Sequence, residues 1–259
     1  MLSYFPGLTS KHLQGDPEDS FAVISILCLR FLIISLVFAS WLVSWDALAL
    51  AADVDETQQA VTAHYERGMR DIEMGMYDQA IAEFKNILQL QPTNSEAYCQ
   101  IGAAYRLKDM LNEAADAYRH ALTLNASEQT HGVANLCLGM LYNTQGKFLE
   151  AEKYGEAAVT LLPEMAEAHY RLGDIYTQRG KLAEAIDAYQ KSIQLNSVLV
   201  ESYQGLGRVA LMQNRVEEAI AYYQEAIKRG PYEPSAYYNL AKAYRRLRQM
   251  EEAKAQMAL

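Results

Sequence analysis

A glycine returns along most of this chain at an almost constant interval, and no other feature restricts the fold so strongly. It stands at Gly68, Gly102, Gly139, Gly173 and Gly207, with Ala241 next in line, at spacings of 34, 37, 34, 34 and 34 residues. A second small residue keeps the same step at Ala80, Ala114, Ala151, Ala185, Ala219 and Ala253. A period of this size marks an array in which each unit stacks on the next. The unit is plainest in Ala166–Leu199, where Leu172 and Tyr176 stand four apart, as do Ala185 and Tyr189. That separation puts each pair on one face of a helix, so the unit holds two amphipathic helices, A and B, that share a core. Gly173 and Ala185, with little or no side chain, sit where the two helices must approach closely.

This Leu-Gly, Tyr, Ala, Tyr pattern resembles the tetratricopeptide-repeat (TPR) family, over five full repeats and most of a sixth, from about Val61 to the last residue. The resemblance implies an all-α fold, a right-handed α-solenoid of antiparallel helix pairs. The repeats fall at Val61–Asn94, Ser95–Glu128, Gly132–Met165, Ala166–Leu199, Val200–Glu233 and Pro234–Leu259. One pair cannot bury its apolar face alone, so neighbours stack into a curved rod. Between A and B stand Gly75, Asp109, Gly146, Gly180 and Asn214, residue types that cap a helix or tolerate a left-handed backbone. Pro92, Pro163 and Pro231 end the B helices, because proline lacks the N–H that would extend them.

Several residues depart from the pattern. Asp71 and Ala210 replace a tyrosine, Gly155 replaces the bulky helix B aromatic, and Gln129–His131 are extra between repeats two and three. The third repeat is therefore expected to be the softest. The sixth stops inside its B helix, where such arrays usually close with a solvating helix. Self-association through an uncapped C-terminal face is one expectation, and truncation of the gene product is the other.

The N-terminal segment has a different character. Residues 1–20 are polar, carry Pro6, Gly7, Gly15 and Pro17, and read as a disordered head. Phe21–Trp45 is apolar except for serines and Arg30, and Asp46 and an alanine-leucine run follow it. In one reading, residues 21–52 are a signal peptide with Arg30 as its charge, Phe31–Trp45 as its core and Ala49-Leu50-Ala51 as its cleavage site. In the other, residues 21–45 are an uncleaved anchor long enough to span a bilayer, and Arg30 costs about 2.5–3.5 kcal/mol there. Either reading puts the repeats outside the cytoplasm: periplasmic, secreted, or held at a membrane. Residues 53–60 lead into the first A helix, with acids suited to its N-terminus.

Chemistry leaves little trace. Gly205-Leu206-Gly207-Arg208-Val209-Ala210 mimics a dinucleotide-binding pattern, but it falls inside an A helix with no strand before it. The five histidines include no pair at ligand spacing; His64 and His169 occupy the fourth repeat position, where the family places an aromatic, and read as structural. No nucleophile elbow, phosphate loop or paired carboxylates stand out, so no catalytic residue, cofactor or metal site is expected. Cys28, Cys99 and Cys137 form no disulfide framework. Cys99 and Cys137 lie on neighbouring A helices, and the demanding geometry of a bridge favours two buried free thiols. A net charge of −9 without a basic tract argues against nucleic acid as a partner.

The resemblance implies instead that a peptide or protein segment binds in the concave groove lined by A helices. The groove positions of the family carry over to Tyr65 and Met69 in the first repeat, Met140 in the third, Tyr170 in the fourth, Arg208 in the fifth, and Tyr238, Lys242, Arg245 and Arg246 in the sixth. The groove is apolar at one end and cationic at the other. Arg208, Lys242, Arg245 and Arg246 beside Tyr238 suit an acidic segment or a terminal carboxylate; the opposing reading is that they are solvated surface charges. The lysine-and-asparagine carboxylate clamp of chaperone-binding members is absent, since Tyr65 and Met69 stand at its first-repeat positions. The leading expectation is a non-catalytic scaffold. A TPR portion of a larger enzyme, such as a glycosyltransferase, and a self-associating structural protein are the alternatives.

Overall fold

The computed structural model describes Val54 and residues 56–247. The expected head, the signal or anchor at 21–52 and the close of the sixth repeat at 248–259 lie outside the described residues. Among the described residues no helix is long and apolar enough to cross a membrane. The chain divides into two units, Met1–Ala60 and Val61–Leu259. In the first, the described residues, Val54 and 56–60, are helical.

The second unit is all-α, a solenoid of paired helices. Its A helices are α1 (56–73, begun in the first unit), α3 (Ser95–Leu107), α5 (Glu128–Thr144), α7 (Ala166–Gln178), α9 (Val200–Met212) and α11 (Pro234–Arg246). Its B helices are α2 (Tyr77–Leu90), α4 (Leu111–Thr123), α6 (Phe148–Leu161), α8 (Leu182–Leu195) and α10 (Val216–Arg229). From α3 to α11 every A helix packs on the B helix before it, and consecutive A helices touch one another. The A helices therefore present one continuous face.

The five A–B turns share one geometry. Gly75, Gly146 and Gly180 have φ near +73°, and Asp109 and Asn214 hold +62° and +61°. In each turn this residue's N–H donates three residues back and the next N–H donates five back, as in Gly180 to Thr177 (3.1 Å) and Lys181 to Tyr176 (2.9 Å). Such a closure satisfies the last carbonyls of helix A and reverses the chain within one residue. Each of the three prolines lies two residues beyond the last residue of α2, α6 or α10, clear of the hydrogen-bonded turn.

Small residues set the distance between A and B. A Cβ at Gly68, Gly102, Gly173 or Gly207 would lie 2.7–2.8 Å from the ring of Phe84, Tyr118, Tyr189 or Tyr223, each sixteen residues on and fully buried. Each B-helix ring thus lies flat on A-helix backbone. Tyr189 is enclosed twice, since a Cβ at Gly205 of the next repeat would come within 2.5 Å of it. Both glycines of the apparent dinucleotide pattern are thus explained by tyrosine packing. In the third repeat the ring is missing, and Gly139 faces Gly155 backbone to backbone, 3.2 Å from a built Cβ to the Gly155 nitrogen. Leu172 and Ile175 of α7 close over Gly155, so the space of the absent aromatic is filled by the next repeat.

The three extra residues do not form a loop. They add a turn to α5, 17 residues long where the other A helices from α3 onward have 13. Ser127 starts that turn by accepting a hydrogen bond from the Thr130 N–H at 3.1 Å, and His131 Nε2 bonds the Leu124 carbonyl at 2.9 Å. Polar ties then fix one repeat on the next. Ser192 and Ser202, both fully buried, pair at 2.8 Å, and Ser192 also donates to the Ala166 carbonyl. Glu152 on α6, its side chain 11 % exposed, accepts from Lys181 at 2.6 Å and from Arg179, on either side of the α7–α8 turn. Burial pushes this carboxyl up, and the hydrogen bonds from Lys181 and Arg179 outweigh it and hold it below the usual carboxylate range. His64 pairs with Glu83 at 2.7 Å and His169 Nε2 lies 2.9 Å from the Pro163 carbonyl, both structural contacts. Tyr176 is half-buried and donates to Glu156 of α6 at 3.0 Å. Cys99 and Cys137 are free, and burial pushes the Cys99 thiol up to about 12, so it stays protonated at neutral pH.

Gly173→Val places two methyl groups against the Tyr189 ring and regains little helix propensity, so a loss of about 2–3 kcal/mol is expected in urea unfolding. An unchanged midpoint would show that the α7–α8 pair opens without cost. Burial also raises the Tyr118 and Tyr189 hydroxyls, and takes that of Tyr223 to about 12. Unfolded tyrosine ionises near pH 10, so the stability these groups hold below that pH is lost as pH rises from about 10 toward the folded values. The urea midpoint should be flat from pH 7 to 9 and fall between 10 and 11. The depressed Glu152 carboxyl acts at the other end: its contribution is present above the unfolded value, about 4.3, and is lost as pH falls through the lower folded one. Glu152→Gln should flatten that acid limb.

Candidate partner-binding face

The A-helix face carries the residues singled out in the sequence, but it does not gather them into one site. At its first end Tyr65 donates to Glu96 on α3 at 3.1 Å and accepts from Gln100 at 3.0 Å. Burial, then Glu96, raises its hydroxyl above the ordinary range. Met69 packs in the core of Phe84 and Ile101, and Met140 against Leu136, Ala158 and Ala168. These residues join repeats as much as they face outward.

The middle of the face holds a closed polar network. Tyr189 emerges from the core and donates to Asp174 Oδ1 at 2.8 Å. Arg208 Nη2, from the next A helix, donates to the Tyr189 oxygen at 2.9 Å and to the same Asp174 oxygen. The Thr177 hydroxyl lies 3.1 Å from the tyrosine oxygen. Tyr170 packs alongside, its ring 6.3 Å from that of Tyr189 and 4.8 Å from the Arg171 guanidinium. Arg208 is therefore already matched to a carboxylate of its own chain.

At the far end Gln204, Arg208, Leu211, Tyr223, Lys242 and Arg246 line a cleft of about 280 Å³ between α9 and α11. Arg246 donates to the Leu211 carbonyl at 2.8 Å and to Asn214 at 2.9 Å, where it ends α9 with a cation, as the helix dipole favours. Lys242 has no hydrogen-bond or ion-pair partner among the described residues. Tyr238 is 59 % exposed on α11, and Arg245 stands exposed beside Arg246; neither lines the cleft. Tyr223 was invisible as a site residue in the sequence, because its position reads as core. The signal that finds it is its 34-residue offset from Tyr189. No group of three or more His, Cys, Asp and Glu able to hold a metal occurs among the described residues.

Residues 130–197 and 164–231 match one tetratricopeptide-repeat family model and residues 210–259 another, together 130 of the 259 residues. Residues 46–130 match a bacterial transcriptional activator domain model, yet within them Gly68 on Phe84 and Gly102 on Tyr118 continue the packing of the later repeats. Among solved structures, the chain is similar to MamA at 26% identity, over 62% of this chain and 93% of MamA, with a TM-score of 0.55. PilW, titled a type IV pilus biogenesis factor, is 18% identical over 77% of this chain and 91% of its own, with a TM-score of 0.70. YrrB, titled a TPR protein with an unusual peptide-binding site, is 21% identical over 65% and 88%, with a TM-score of 0.55. Among curated proteins none matches the sequence. Family models, helix pairing and turn geometry agree, and the chain belongs to the tetratricopeptide-repeat family.

Proposed function

We propose that this chain is a non-catalytic scaffold whose A-helix face holds an extended segment of a protein partner, with acidic residues of that segment engaging repeats five and six. One observation carries this reading: the face is continuous from repeat to repeat and ends in an open cleft where α9 and α11 bring Arg208, Lys242 and Arg246 together. A cleft of about 280 Å³ with cations at its wall and half-exposed Met212 at its edge fits a side chain with one charged end on an apolar stem. Similarity to YrrB agrees with a peptide as the bound form. The scaffold is exported, either free after cleavage of residues 21–52 or anchored by residues 21–45 with the array outside the cytoplasm. The apolar run Phe21–Trp45 and the small residues Ala49 and Ala51 support this part.

Peptides selected from a random displayed library on the full chain should slow amide hydrogen exchange in α9 and α11 more than in the B helices. Protection confined to B helices would sink the groove reading. For the export, the chain expressed with its own N-terminus should be recovered either beginning near Ala52 outside the cytoplasm or intact in the membrane fraction. Intact chain free in the cytosol would refute it.

A further inference from the structure

The positions that build the closed network on α7 and α9 recur 34 residues later with one change of sign. Asp174, Arg208 and Lys242 occupy the same place in repeats four, five and six, and Tyr189 and Tyr223 the same place in two successive B helices. At the first level the tyrosine hydroxyl meets an acid on its own A helix and a cation on the next, namely Asp174 and Arg208. At the second level the corresponding positions are both cationic, Arg208 and Lys242, and apolar Leu211 replaces Thr177. No acidic residue lines the cleft that results. Among the described residues the Tyr223 hydroxyl and Lys242 have no hydrogen-bond partner, and both hydrogen bonds of Arg208 leave from Nη2. A guanidinium keeps further N–H donors beyond that nitrogen.

We infer that this cleft takes the carboxylate of an aspartate or glutamate side chain on the partner's segment, held by Arg208, Lys242 and the Tyr223 hydroxyl where the chain's own Asp174 lies one repeat earlier. The inference rests on the peptide-binding reading of the A-helix face and names the group recognised there. Asp174 already balances Arg208, whereas Lys242 has no counter-ion among the described residues; a carboxylate in the cleft supplies one, uses the remaining N–H donors of Arg208 and satisfies the phenol at once. The rest of the molecule makes the site directional. With a net charge of −9 the chain repels an acidic segment over most of its surface, and this end draws it in.

The test compares one peptide selected on the full chain, bearing a glutamate, with its glutamine version, by fluorescence anisotropy. Wild-type chain should bind the glutamate peptide at least about tenfold more tightly. Lys242→Gln should remove most of that preference. Asn239→Asp should also remove it, because Asn239 lines the cleft and the variant supplies a resident carboxylate at unchanged size. Lys242 is exposed, and Asn239 is half-buried with its amide 3.4 Å from Gln204 Oε1, so circular dichroism and the urea midpoint of each variant should match those of the wild-type chain before binding is compared. A preference that survives both variants overturns the inference. Selected peptides without an acid overturn it while leaving peptide binding standing, and a phosphoserine version bound in preference to glutamate overturns the carboxylate assignment. A chain that selects no peptide ends both readings.

Discussion

The close approach of a B-helix aromatic ring to a bare A-helix glycine governs this protein. With any side chain at Gly102, Gly173 or Gly207 the paired helix would have to stand off, because the ring lies under 3 Å from where a Cβ would be. Flat contact at that distance gives each ring many dispersion partners and removes it from water. The same contact explains why one period runs through the chain. A glycine and a ring sixteen residues later define a unit, and Tyr189 between Gly173 and Gly205 shows the ring serving two units at once.

Those rings also connect the core to the surface. Tyr189 and Tyr223, their rings buried at the A–B seam, bring their hydroxyls to the A-helix face, where a polar partner is favoured. At Tyr189 the chain supplies one itself, with Asp174 and Arg208; at Tyr223 it places two cations and no acid. In repeats four to six one position carries Asp174, Arg208 and Lys242, and only the level between the first two is closed by an acid of the chain. Charge elsewhere sets register between repeats. Glu152 with Arg179 and Lys181, and Arg246 on the end of α9, hold neighbouring units at fixed offsets. Exposed pairs such as Asp116 with Arg119 add little beside them.

Much of this architecture is legible from the chain alone, because the elements that make it are local. Gly75, Asp109, Gly146, Gly180 and Asn214 announce left-handed turns, and all five adopt them. Gln129–His131 were less legible: counted against a 34-residue period they look like an insertion between repeats, yet the Ser127 cap and the His131 bond to the Leu124 carbonyl hold them in α5 despite the modest helix propensity of Thr130 and His131. Gly155 was only partly legible too. Its missing ring is plain in the sequence, but only the packing shows the α5 and α6 backbones in close contact at Gly139 and Gly155, with Leu172 and Ile175 over the gap. At the candidate site the cations were visible one by one, but their partners were not. Arg208 and Arg246 read as equals of Lys242 in the sequence, and contacts 32 to 35 residues away set them apart.

By itself the sequence determined the period, the alternation of A and B helices, the five reversals and which face of each helix is apolar, since each follows from residues a few positions apart and from backbone preferences. Tertiary structure alone decided which cation is matched by an internal acid, which tyrosine hydroxyl opens into a cleft, and how the third repeat closes without its ring. These are outcomes of side chains from different repeats meeting in space, where the result depends on sub-ångström distances and on how many groups compete for one partner, and periodic pattern holds no record of either.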